Sequence, residues 1–190
     1  MIYDVNTNNQ TFLAMAYYLK TQGVRNNKFM LTLYDEDLSG VDVYDPNLTA
    51  MQKAKIYAEI CRNWWYFIRE VEKVPQPGNS SGVRFGLNVG NMAAAYCAIN
   101  NLNHLFMVPR QIGKTVVEVS FSLWVYGFSG SYNQETYLHK AQSGSIDNLR
   151  RLKQYKELLP SGLLNNAFPG RGATYAGIAM SASGVGGMLS

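Results

Sequence analysis

"MVPRQIGKTVVEV", residues 107–119, is the stretch whose reading decides the fold. It closes an apolar run, crosses a short polar turn and enters a segment with helical patterning. Gly113, Lys114 and Thr115 end the turn. They fit the second half of the phosphate-loop pattern G-x-x-x-x-G-K-[ST], while Val108 stands where the first glycine belongs. Such a loop works through its backbone. It joins a buried strand to a helix N-terminus, so that N–H groups and the positive end of the helix dipole face the phosphates. Gly113 allows the close approach, Lys114 would place a charge at the β/γ phosphates, and Thr115 would offer its hydroxyl to Mg²⁺.

Working outward, "HLFMV" at 104–108 reads as a short buried strand, and "GKTVVEVSFSLWVYGF" at 113–128 as an apolar helix ended by Gly127 and Gly130. "ETYLHK" at 135–140 alternates like a second strand. Strand, loop, helix and strand make a βαβ unit, which implies a parallel sheet. Before the loop, "GNMAAAYCAINN" reads as a helix. After it, "SIDNLRRLKQYKELLP" is an amphipathic helix with Ile146, Leu149, Leu152, Tyr155 and Leu159 inward, ended by Pro160. From Ser161 onward the chain is rich in Gly, Ala and Ser, and no Asp or Glu follows Glu157.

The N-terminal half is expected to be mainly helical. Residues 9–21 place Phe12, Met15, Ala16 and Leu19 on one helical face, with Gly23 as the stop. A short extended piece is expected at 29–34, then an acidic, turn-rich segment to Pro46. Asn47 or Thr49 caps the longest helix, on which Ile56, Ile60, Trp64, Phe67 and Val71 recur at helical spacing. Its aromatic block "NWWYFIRE" reads as a core stripe rather than a base-stacking platform, with Arg69 and Glu70 as flank charges. "PQPGNSSG" at 75–82 reads as a linker, dividing a helical region, 1–78, from an incomplete P-loop domain, 79–190.

Composition narrows the classes. An apolar content of 47% and an aromatic content of 13% exclude a disordered chain. Cys61 and Cys97 lack C-x-x-C spacing, so neither a disulfide framework nor a zinc site is signalled, and a reducing intracellular setting is expected. The apolar run at 12–19 follows asparagines rather than basic residues, which argues against a signal peptide, and no run approaches the ~20 apolar residues of a membrane helix. The net charge of +4 is uneven: residues 1–60 carry five basic and seven acidic groups, and residues 110–190 carry eight and four. A basic C-terminal half could face nucleic acid or phosphates; an excess of +4 over 81 residues is equally an ordinary balance. His104 and His139 read as structural.

The loop with its flanks resembles the deviant Walker A motif of large terminase subunits, the ATP-driven DNA-packaging motors of tailed bacteriophages. In that family an Arg-Gln pair stands in the loop, as Arg110-Gln111 does in "PRQIGKTVVEV", and the first glycine is commonly replaced. "VRFGLNVGNMAAAYCAINNLNHLFMVPRQIGKT" is similar to the family's adenine-side helix leading into the loop, and "LHKAQSGSIDNLRRLKQYKELLP" to its next strand and helix. "DPNLTAMQKAKIYAEICRNWWYFIREVEKVP" resembles the N-terminal region of one subgroup, so the similarity covers most of residues 1–160.

The resemblance implies an α/β fold with a P-loop NTPase-like parallel sheet, incomplete here, with ATP and Mg²⁺ as cofactors. Lys114 would bind the β/γ phosphates and Thr115 the metal, while Arg110 would reach the γ-phosphate region. Gln111, Ile112 and Gly113 would supply backbone N–H groups, and Asn91 falls near the adenine-side glutamine of relatives. The family's Asp-Glu pair is expected after a second apolar strand, near "PGRGATYAGIAMSASG"; Ser181-Ala182 stands there instead, and the family's nuclease domain is expected to be missing from this stretch. The chain is therefore expected to be the front part of a terminase, acting in the cytoplasm of an infected bacterium. Double-stranded DNA, the portal and the small terminase subunit are the implied partners, with homo-oligomers on assembly. Two alternatives compete. One is a non-catalytic DNA- or portal-binding fragment using Lys140, Arg150, Arg151, Lys153, Lys156 and Arg171; the other is a P-loop protein of another class, which the Pro-Arg-Gln half-loop fits less well.

Overall fold

Phe12, Met15, Ala16 and Leu19 are all buried on one face of helix α1 (Gln10–Thr21), and Gly23, at φ +76°, lies just beyond its end. The computed structural model describes residues 1–103, 105, 107, 113–129, 136–137, 142–160, 163, 180–183 and 186–189. Two short strands, β1 (Ile2–Tyr3) and β2 (Thr32–Leu33), pair antiparallel beside α1. The extended piece expected at 29–34 is shorter than its apolar pattern suggests. Phe29–Leu31 close a 3₁₀ turn, with the Thr32 hydroxyl donating back to the Phe29 carbonyl at 2.6 Å.

Thr49, not Asn47, starts helix α2 (Ala50–Arg62), through a reciprocal capping box with Gln52. The expected single long helix breaks at Asn63. Its side chain accepts from the Tyr66 N–H and donates to Glu59 (2.7 Å) and to the Thr32 carbonyl (2.9 Å). The chain resumes as α3 (Trp64–Tyr66) and widens into a π-helical turn at Phe67–Val71, closed by the Glu72 N–H on the Phe67 carbonyl at 2.9 Å. The aromatic block is core, as expected, but Arg69 and Glu70 are not flank charges. They are 0% and 3% exposed. Residues 64–68 are apolar all round the turn, which leaves no wet face for the charges that follow.

The stretch read as a linker is a β-hairpin, β3 (Lys73–Gln76) and β4 (Asn79–Arg84). Its register is irregular between Val74 and Gln76, around Pro75, which has no N–H to give the ladder. Gly82, at φ +65°, has no room for a side chain. A Cβ there would lie 2.7 Å from Leu158 Cδ1 and 3.0 Å from the Val74 carbonyl.

Helix α4 (Val89–Ile99) is capped by Asn88 and Asn91, and α5 (Lys114–Trp124) runs into a second π-helical turn at Val125–Ser129. Helix α6 (Gln142–Glu157) buries Leu152 and Tyr155 as expected, but Ile146 is 39% exposed rather than inward. Strand β5 (Thr136–Tyr137) covers part of the strand expected at 135–140, and β6 (Met180–Ser183) and β7 (Gly186–Leu189) lie beyond α6 in the chain. The fold is thus mixed α/β. Every strand pair among the described residues is antiparallel, so the expected parallel sheet is not among them. Leu105 and Met107, expected inside a buried strand, have no strand pairing and are each 83% exposed, because no described strand covers them.

One hydrophobic core cluster draws on both sides of the hairpin. Trp64 meets Phe121 edge-on at 5.0 Å, Phe67 meets Phe128 at 5.4 Å, and the Trp124 indole donates to the Ile60 carbonyl at 2.6 Å. Helix α5 is therefore packed directly on α2 and α3.

Candidate functional site

The head of α5 is where sequence and structure meet most closely. Gly113 sits at φ +89° and ψ 18°, a left-handed conformation that costs glycine little. Its carbonyl accepts from the N–H groups of Val116 and Val117 (3.1 and 3.2 Å), so the helix is hydrogen-bonded from its first turn. Lys114 and Thr115 are the first two helical residues, and Thr115 is half-buried. The earliest N–H groups of any helix lack intrahelical acceptors and carry the positive end of its dipole, so this end suits an anion.

Asn91 comes to the same place from α4. It is buried, and its amide donates to the Gly86 carbonyl at 2.9 Å while its oxygen accepts from the Asn88 N–H at 2.7 Å. A Cβ on Gly113 would lie 3.8 Å from Asn91 Nδ2. The capping box that starts α4 thus also touches the turn that starts α5. Arg110, Gln111 and Ile112, the remaining loop residues singled out, lie outside the described residues, as do His104, Gly130, His139, Lys140 and Arg171. Ser181 and Ala182 fall in β6, paired with Met188 and Gly187 of β7.

The fit to a nucleotide differs between its phosphates and its metal. A left-handed glycine followed by a helix N-terminus suits phosphate oxygens. For Mg²⁺, the Thr115 hydroxyl is the candidate ligand, and the described residues hold no group of three or more His, Cys, Asp or Glu side chains that could bind a metal.

Sequence reading missed a buried ionic network next to the N-terminus. Arg69 donates through Nε to Glu70 at 2.9 Å and through NH1 to the Met30 carbonyl at 2.7 Å, with Asp4 at 3.5 Å from NH2. Thr7 donates to Glu70, Ser39 to Asp4 (3.0 Å), and Arg84 approaches Glu70 at 3.6 Å. The available signal was the position of Arg69 and Glu70 inside an apolar stretch with no polar face. A second missed group is Glu59, fully buried. It accepts from the backbone N–H groups of Tyr34 and Asp35 and from the side chains of Asn63 and Arg62. Both clusters tie loops to helices and lie in the N-terminal half.

The chain matches no protein-family model, no curated protein and no solved structure. No helix among the described residues is long and apolar enough to cross a membrane.

Proposed function

We propose that the chain is the ATP-binding portion of a DNA-packaging terminase large subunit, a part that powers genome translocation into the capsid when the full-length protein assembles on the portal. The observation that carries this reading is the left-handed Gly113 handing over to a helix that begins at Lys114 and Thr115, with Asn91 beside it. In this reading Lys114 neutralises the β/γ phosphates, Thr115 contributes to Mg²⁺, Gln111, Ile112 and Gly113 lend N–H groups, and Arg110 approaches the γ-phosphate. The finer fold it entails is a P-loop NTPase-like parallel sheet. The working location is the cytoplasm of the infected bacterium, with the small terminase subunit and double-stranded DNA as partners. The carboxylates that would complete hydrolysis are not supplied by residues after Glu157, so nucleotide binding exceeds turnover in this chain.

Titration of the 190-residue chain with ATP and Mg²⁺ by calorimetry tests it. Lys114→Ala removes a charge-assisted phosphate contact, at roughly 1.5–3 kcal/mol, so affinity falls about tenfold or more. Equal affinity in the variant and the parent would end this reading.

One observation favours a second reading, a DNA- or portal-binding fragment without nucleotide chemistry. Helix α6 turns Arg150, Arg151 and Lys153 to solvent, although Arg150 is already paired with Asp147 at 3.0 Å. This reading expects DNA affinity that drops steeply with added salt. No association at low salt would remove it.

A further inference from the structure

Charged groups buried in this core mostly have strong partners: Glu59 accepts four hydrogen bonds, and Arg69 lies between Glu70 and Asp4. Glu72 differs. It follows the first π-helical turn and is 1% exposed. One carboxyl oxygen accepts from the hydroxyl of Ser120, itself fully buried on α5. The other oxygen has no hydrogen-bond partner among the described residues.

The groups facing Glu72 come from every element packed there. Tyr44 stands on the loop before α2, its hydroxyl donating to the Val71 carbonyl (2.6 Å) and lying 3.0 Å from the Leu158 carbonyl oxygen. Lys73 is next in sequence, but its ammonium lies over the Tyr44 ring at 3.6 Å. Ser120 comes from α5, and Tyr155 from α6. Asp42 and Arg84 act on Tyr44, and Arg151 acts on Tyr155. Among the described residues no cation forms an ion pair with Glu72. Burying an ionised carboxylate against a single hydroxyl is far less favourable than burying the neutral acid.

We infer that Glu72 is a proton-dependent latch: as the neutral acid it stays in the core bonded to Ser120 and holds α5 against the N-terminal helices, and on ionisation it favours release of α5. Burial pushes its pKa up to about 8, with the Ser120 bond pulling the other way, which places the latch within the range of ordinary buffers. Because α5 begins at Gly113 to Thr115, release of the helix also releases the turn at its head. This holds whatever that turn binds.

Amide hydrogen exchange of residues 117–124 in the 190-residue chain, corrected for intrinsic rates and followed from pH 5 to 8, reads the latch directly. The expected result is an opening constant that rises with pH, by up to about tenfold per pH unit, in the parent chain and stays flat in Glu72→Gln. A flat profile in the parent, or the same slope in the variant, overturns the inference. If Glu72→Gln fails to fold, carboxyl ¹³C titration of Glu72 in the parent decides. A midpoint near 8 supports the latch; a midpoint at the ordinary glutamate value overturns it.

Discussion

Replacing Arg69 by methionine should be among the most damaging single changes in this chain, and its size can be worked from the contacts. Methionine keeps the apolar stem but removes the guanidinium. Glu70 loses its 2.9 Å donor, the Met30 carbonyl loses its 2.7 Å donor, and Asp4 loses its cation. Asp4 and Glu70 are 1% and 4% exposed at the side chain, so water cannot take the place of Arg69. Removing one partner of a buried ion pair typically costs about 3–5 kcal/mol. Arg84, 3.6 Å from Glu70, and the Thr7 hydroxyl retain part of the compensation, which points to the lower half, about 3–4 kcal/mol. That is a large share of the roughly 5–15 kcal/mol that holds a folded chain together. It corresponds to a Tm lower by roughly 6–16 °C for a protein of this size. Urea unfolding followed by tryptophan fluorescence is suited to the measurement, because Trp64, Trp65 and Trp124 are all buried. A midpoint within about 1 kcal/mol of the parent, at unchanged slope, would refute the reasoning. Adding Glu70→Gln to Arg69→Met should recover part of the loss, since it removes one of the stranded charges.

Three further outcomes follow from particular contacts. Glu72 binds its proton more tightly folded, about 8, than unfolded, 4.5, so stability falls as pH rises between those values and levels off above the upper one. The slope due to this group is at most ~1.4 kcal/mol per pH unit, and denaturation of Glu72→Gln at a series of pH values should lack it. Gly113→Ala places a side chain at φ +89° that among the described residues meets only Asn91, at 3.8 Å, so the cost is chiefly backbone strain, about 1–2 kcal/mol, and Gly113→Asn should unfold nearer to the parent in the same assay. Trp124→Phe removes the 2.6 Å indole bond to the Ile60 carbonyl; because Asn63 also donates there at 3.4 Å, the loss should stay near the low end of about 1–3 kcal/mol in thermal unfolding.

How much of the fold could be read in advance depended on whether a signal was local. The helical periodicity of Phe12, Met15, Ala16 and Leu19, a cap at Asn47 or Thr49 and the apolar face of Leu152 and Tyr155 are visible within a dozen residues, and the structure has the periodicity, the Thr49 cap and that face. The break at Asn63 was not visible. Asparagine tolerates many conformations, and its side chain there caps the Tyr66 N–H while donating to Glu59 and to the Thr32 carbonyl, 31 positions away. The hairpin at 73–84 was hidden for a related reason. Its Pro, Gly and Ser content resembles that of a flexible linker; Gly78, at φ +78°, makes the turn between Gln76 and Asn79, and Gly82 is kept small by Leu158, 76 positions away. Burial of Arg69 and Glu70 also depends on long-range partners, chiefly Asp4 and Met30.

The candidate site divides along the same line. A phosphate loop is defined by a glycine that must turn the chain and a helix that must begin directly after it, and both are local properties of Gly113 and α5. The position of Asn91 is not local: it lies 22 positions before Gly113, yet its amide stands beside that turn. Carboxylates that would complete hydrolysis under the proposed function are a different matter, since they would come from a distant strand and leave no trace in the loop itself. Composition after Glu157 limits what that region can supply, whatever its path. If the turn binds ATP while the chain hydrolyses it slowly, then adding acidic residues in trans, from a partner subunit or a separately supplied downstream segment, should raise turnover without tightening binding. A purely structural glycine turn would gain neither.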